Sequence, residues 1–305
     1  MAQLITTLGP RSDDQVGTIL PHEHVFTDLR FWYEPGYAEA NPSAVIDLMA
    51  PELIKVWATG VTVIAECTPV GVGRRADILE AVSRATGFPL IVPTGVYRNA
   101  WMPDWVRQAS EDQLREWMVR ELVDEIGETG VQAGWIKLGA TDEGLTSSEI
   151  KVLRAAAAAG AATGAVIGSH TVRGEIVLEQ LDIIEAAGYT PERFIWVHAQ
   201  NEPWFDLHFE VALRGAWVEY DSIGTGIPDG SYIQYIGRLL NAGLGDHVLL
   251  SHDRGWYDPA KPGGGTPLPY TYITETFLPR LSKSGVSDAE IRRLTHDNPF
   301  RAFAR

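Results

Sequence analysis

Short runs of Val, Ile, Leu and Ala recur along the chain, and between them apolar residues return every three or four positions. The runs predict strands over 17–25, 61–67, 90–96, 132–138, 165–170, 194–199, 216–221 and 247–253. Most are continuously apolar rather than alternating, the pattern of parallel strands covered on both faces. The intervening stretches predict helices. Asn41 is an N-cap with Pro42 at the first helical position, opening a helix that ends near Gly60, with Pro51 as a kink or split. Helices follow over 74–86, closed by Gly87, and over 110–127. The capping box Thr146-Ser-Ser-Glu149 precedes an alanine run, 155–159, closed by Gly160. Further helices are predicted over 174–187, 204–214, 231–241 and 273–281, and from the capping box Ser287-Asp-Ala-Glu290.

Eight strands, each followed by a helix, make an α/β chain whose first expectation is a (β/α)8 TIM barrel. No interdomain linker stands out, so residues 1–305 are read as one domain. A doubly wound open sheet is the runner-up, but no Gly-x-Gly-x-x-Gly turn follows the first strand. The Gly/Pro-rich stretch 258–269 reads as a long loop after the eighth strand.

Composition narrows the function classes. Formal net charge is −15 over 305 residues, which argues against nucleic acid and anionic membrane surfaces as partners. Cys67 is the only cysteine, so no intrachain disulfide forms and a reducing compartment is expected. There is no signal-peptide pattern and no apolar run of the roughly 18–20 residues needed to span a membrane. A cytoplasmic location is the resulting expectation.

The chemistry gathers at predicted strand ends. Leu20-Pro-His22-Glu23-His24 sets two imidazoles on one face of a strand and Glu23 on the other. Alone, such a pair fits a structural role as well as a metal half-site. Strand four, however, ends at Lys137, strand five at His170, strand six at His198 and strand eight at Asp253. In a barrel these ends encircle one axis. A protonated lysine repels a cation, so Lys137 joins such a set only if CO2 converts it to a carbamate; otherwise it pairs with Asp253 or a substrate anion. His252 should face away from Asp253, and Glu66 should support a histidine rather than bind metal. His208, His247 and His296 read as surface or packing residues, and the Gly71-x-Gly73-Arg74-Arg75 turn as a structural loop.

These residues, with Gly134-Trp-Ile-Lys137-Leu-Gly139, Gly168-Ser-His170-Thr, Leu250-Ser-His-Asp253 and Asn298-Pro-Phe-Arg-Ala-Phe303, resemble the phosphotriesterase family of the amidohydrolase superfamily. The resemblance runs from Gly17 to the C-terminus. It implies a binuclear hydrolase with two divalent metal ions, commonly zinc but also cobalt, manganese or iron. His22, His24 and Asp253 would hold the more buried ion, and His170 and His198 the more exposed one. A carbamylated Lys137 and a hydroxide would bridge them, and Asp253 would accept the hydroxide's proton. A homodimer is also implied.

The predicted loops after the strands are rich in aromatics, among them Trp32, Tyr33, Tyr97, Trp101 and Trp256, and suggest a partly hydrophobic pocket. Tyr97 or Asn99 could donate to a substrate oxygen. Arg98, Arg173 or Arg254 could pair with a substrate anion. After strand seven the lactonases of the family read Gly-x-Asp-Arg, whereas this chain has Glu219-Tyr-Asp221-Ser222. That departure counts against quorum-sensing lactones. Carboxylic ester or lactone hydrolysis remains the first expectation, phosphotriester hydrolysis the second, and a noncatalytic metal-bound binding protein the third.

Overall fold

The computed structural model describes residues 2–305. Its strands are β1 Thr18–Phe26, β2 Val61–Glu66, β3 Leu90–Ile91, β4 Pro93–Thr94, β5 Trp135–Gly139, β6 Ile167–His170, β7 Phe194–Val197, β8 Trp217–Tyr220, β9 Val248–Leu250 and β10 Gly255–Tyr257. Every ladder is parallel. The helices are α1 Pro42–Trp57, α2 Ala76–Thr86, α3 Asp104–Gln108, α4 Glu111–Val123, α5 Ser147–Thr163, α6 Gly174–Ala186, α7 Phe205–Leu213, α8 Asp229–Asn241, α9 Leu278–Lys283, α10 Asp288–Arg292 and α11 Asn298–Phe303. The succession of strand and helix is that of a (β/α)8 fold.

Strand parity divides the core in two. Ile19, Val63, Ile91, Trp135, Ile195, Trp217 and Leu249 form an inner cluster, and Leu4, Ala302 and Phe303 join it from the chain's two ends. Trp135 and Phe303 meet edge to face at 5.1 Å. Their alternate neighbours, among them Leu20, Ile64, Leu90, Ile136, Val218 and Leu250, pack outward with α-helical residues such as Leu53, Leu79 and Leu181. The ring is therefore filled rather than hollow, and its chemistry is confined to the strands' C-terminal ends.

The ladder is not closed. It falls into two sheets, ordered β10-β1-β2-β3 and β4-β5-β6-β7-β8-β9. One seam is the third predicted strand, which breaks at Val92 into β3 and β4. The other is the eighth predicted strand, which ends at Leu250 instead of 253. Residues 251–254 leave the ladder, and β10 then pairs with β1 in a region the sequence reads as loop. Helix ends also differ. Pro51 lies inside one unbroken α1. The helix begun at Ser110 ends at Val123, before Gly127. The alanine-rich helix continues past Gly160 to Thr163. Gly160 is there for close packing, because a Cβ would sit 2.7 Å from the Tyr189 ring.

Candidate metal centre

The parity of β1 sends His22 and His24 into a cavity of about 130 Å3, which Lys137, His170, His198 and Asp253 also line. All six predicted metal ligands thus meet at one place, contributed by β1, β5, β6 and the segments just after β7 and β9. Ligand atoms of His22, His198 and Asp253 lie within 4.8 Å of one another. Asp253 Oδ1 is 3.1 Å from His24 Nε2 and 3.7 Å from His22 Nε2. The His170 and His198 rings are 4.5 Å apart, and those of His22 and His198 5.0 Å.

Two of these residues hold unusual backbone. His198 has φ 68° and Asp253 φ 52°, and Trp256, which also lines the cavity, has φ 76°. Such conformations in non-glycine residues cost of order 1–3 kcal/mol each and survive where neighbours enforce them. His198 is enforced by Asp221, which accepts from its backbone N at 2.8 Å and from Nδ1 at 2.7 Å. The same carboxylate lies 3.2 Å from His22 Nδ1, and Glu219 Oε2 lies 3.1 Å from it. His24 Nδ1 meets Thr68 Oγ1 at 2.7 Å. His22, His24 and His198 therefore each spend Nδ1 on a neighbour and leave Nε2 for the centre, the arrangement that orients imidazole ligands around a metal. His170 Nδ1 lies 3.2 Å from the Tyr97 hydroxyl.

Local charge divides the donors. Against burial, which lowers both, neighbouring acidic groups raise the pKa of His22 well above 6.5 and raise that of His24, so a cation binding there displaces protons. Burial, with the charges of His198 and Lys137, holds the His170 pKa well below 6.5, leaving a neutral imidazole. Burial alone would raise Asp253, but its hydrogen bond with His24 and the nearby imidazoles hold it below the ordinary carboxylate range. Burial pushes Glu219 upward, while His198 and His22 overcome burial and hold Asp221 well down. Lys137 is 2% exposed, and its Nζ has no hydrogen-bond partner. Buried polar groups are normally satisfied. A donor set of four imidazoles and a carboxylate, with a buried unpartnered amine beside it, fits divalent cations.

The other predicted residues separate. Tyr97 and Trp256 line the cavity. Arg98, Asn99 and Arg254 are not among its lining residues. Arg98 pairs with Asp142 at 3.1 Å and lies over the Trp101 ring. Asn99 accepts from Arg107 at 2.7 Å. Arg254 donates to the carbonyls of Gly224 and Pro269. Arg173 lies in a separate cleft with Trp204. Arg74 and Arg75 pair with Glu121 and Asp77, so the glycine-rich turn offers no free cation. Glu66 comes within 3.5 Å of His24, yet its short hydrogen bond, 2.6 Å, is from Val25 N. His252 turns from the cavity to the Tyr270 carbonyl. Glu219 and Asp221 are the supports the sequence reading missed. They stand at i and i+2 at the end of β8, Asp221 just past its last residue, the same parity signal as His22 and His24.

A filled (β/α)8 scaffold with this donor set at its C-terminal ends defines a class of metal-dependent hydrolases. A model of the phosphotriesterase family matches residues 2–303. The chain belongs to that family and is a hydrolase acting on ester or phosphoester bonds. It is 32% identical to the phosphotriesterase homology protein of Escherichia coli, over 96% of this chain and 99% of that protein. It is 28% identical to the aryldialkylphosphatase of Saccharolobus solfataricus, over 95% of each. A solved mutant PTE-like lactonase of Deinococcus radiodurans superposes with a TM-score of 0.87 at 28% identity, covering 98% of this chain and 99% of that one.

Proposed function

We propose that residues 1–305 act as one hydrolase domain that cleaves small neutral carboxylic esters or lactones with two divalent cations. His22, His24 and Asp253 would hold the more buried cation, and His170 and His198 the more exposed. Lys137 would join them as a carbamate, its ε-amine adding to CO2 with release of a proton. The observation that carries this reading is the convergence of three ligand atoms within 4.8 Å in a cavity that also holds a buried, unpartnered lysine amine. An isolated buried ammonium is costly, whereas a carbamate is an anion suited to sit between two cations.

When bound, the two cations supply a low-pKa water and polarise the scissile carbonyl or phosphoryl oxygen. Asp253, whose Oδ1 lies 3.1 Å from His24 Nε2 and 3.7 Å from His22 Nε2, would accept the proton of the attacking water and pass it to the leaving group. The Tyr97 hydroxyl, on the cavity wall, can donate to a substrate oxygen. Apart from the proposed ligands, the cavity is lined by Thr27, Leu29, Cys67, Val72, Tyr97 and Trp256, and no arginine reaches it. The group it admits is accordingly small and uncharged. Phosphotriester hydrolysis is the second reading, favoured by the aryldialkylphosphatase relative and by the same polarised-oxygen chemistry.

The test is to strip the enzyme with a chelator, restore Zn2+, Co2+ or Mn2+, and assay lactones, aryl esters and neutral phosphotriesters. Metal-dependent turnover of the esters or lactones above the phosphotriesters is expected. Turnover without metal, or none on any substrate with the metals bound, would sink the proposal.

A further inference from the structure

Glu23 stands between two proposed ligands yet faces away from them, fully buried. A buried carboxylate is tolerable only when donors surround it. Its donors all come from one short segment. Ser251 Oγ donates to Oε1 at 2.7 Å, His252 N to Oε1 at 3.2 Å and Arg254 N to Oε2 at 2.7 Å. His252 Nδ1 lies 2.5 Å from Oε1 as well.

That segment is the one that leaves the ladder between β9 and β10, and it carries Asp253 in its left-handed conformation. Ser251 Oγ also accepts from His22 N at 3.1 Å. Direct backbone pairing contributes Asp253 N to His22 O at 3.2 Å and His24 N to Arg254 O at 2.9 Å. One carboxylate thus gathers the two backbone N–H groups that flank Asp253 and the Ser251 hydroxyl.

We propose that Glu23 is a positioning residue for Asp253: by holding 251–254 against β1 from behind, it keeps the Asp253 carboxylate on the His22–His24 side of the strand. The inference rests on Asp253 being the proton acceptor. It assigns catalytic consequence to the middle residue of the histidine pair without contact with substrate or cation. Glutamine is the informative replacement. It fills the same volume, but its amide NH2 must face a donor on one side or the other, since Glu23 accepts on both oxygens.

The test compares Glu23→Gln, Asp253→Asn and the double variant, each reconstituted with metal. Metal content and melting temperature are measured beside kcat and KM. Glu23→Gln is expected to lower kcat at least tenfold, within the ~10²–10⁴-fold that positioned proton transfer contributes, with KM and metal content within twofold. Because Glu23 acts through Asp253, the double variant should be no slower than Asp253→Asn alone. Multiplying losses in the double variant, a kcat within twofold of wild type, or a kcat loss that tracks lost metal would each overturn the inference. If Glu23→Gln does not fold, Ser251→Ala replaces it: a fall in kcat at constant KM and metal content supports the role, and an unchanged kcat refutes it. An Asp253→Asn enzyme with wild-type kcat would instead refute Asp253 as proton acceptor.

Discussion

His208 illustrates what burial does to a residue that the sequence could only class as surface or packing. It is fully buried, with Nδ1 2.8 Å from the Tyr220 hydroxyl and Nε2 3.2 Å from the Glu202 carbonyl. Burial lowers its pKa to about 4, against the partial opposition of Glu202. Between pH 6.5 and 4 the unfolded imidazole binds a proton that the folded one refuses, so stability rises with pH there. The contribution is complete above pH 6.5 and is lost as pH falls towards 4, by about 3 kcal/mol in all. Urea melts across that range should show the loss, and His208→Gln should flatten it; an unchanged slope in the variant would contradict the assignment. At this scale the six proposed ligands were legible because alternation along a strand and position at its end are properties of sequence. The partners of Arg98 and Arg254 were not, because a long guanidinium arm finds its acceptor in tertiary space.

At the scale of elements, eight strand positions were legible in their order, whereas the split of the third into β3 and β4, the early end of the eighth and the pairing of β10 with β1 were not. The apolar pattern of 247–253 runs into the break after Leu250 without a sign, because nothing in hydrophobicity encodes the φ of Asp253. Glu23 binds that segment together with a few backbone hydrogen bonds to β1 and β8. The third strand shows the same dependence on contact. After β4 the chain turns at Gly95, with φ 104°, where a Cβ would fall 2.2 Å from the Lys137 carbonyl oxygen. Both the conformation and the close approach require glycine. Gly95→Ala should therefore displace β5 at Lys137, costing about 2 kcal/mol or more and most of the hydrolytic activity. Denaturation and activity measured on the same preparation check this. A variant equal to wild type in both would mean that the strands can part without disturbing the centre.

Across the whole molecule, the two ends of the chain fill the inner core at one end of the ring, while the strand ends open the other to chemistry. The (β/α)8 architecture was readable from the repetition of strand and helix, because each strand must be covered on both faces. The open ladder was not readable, since closure depends on the twist and stagger of all the strands together. Net charge of −15 sets no fold, but it suits a protein whose proposed cargo includes cations. The proposed centre takes two of them, joined by Lys137. The most direct measurement is a titration of the chelated enzyme with Zn2+ or Co2+, following bound metal and ester or lactone hydrolysis together, in wild type and Lys137→Ala. Wild type should bind about two equivalents per chain and reach full rate only as the second is filled, and Lys137→Ala should lose that second equivalent and recover part of it with a short carboxylic acid. Full activity at one equivalent, or a Lys137→Ala enzyme that keeps both metals and its rate, would contradict the account.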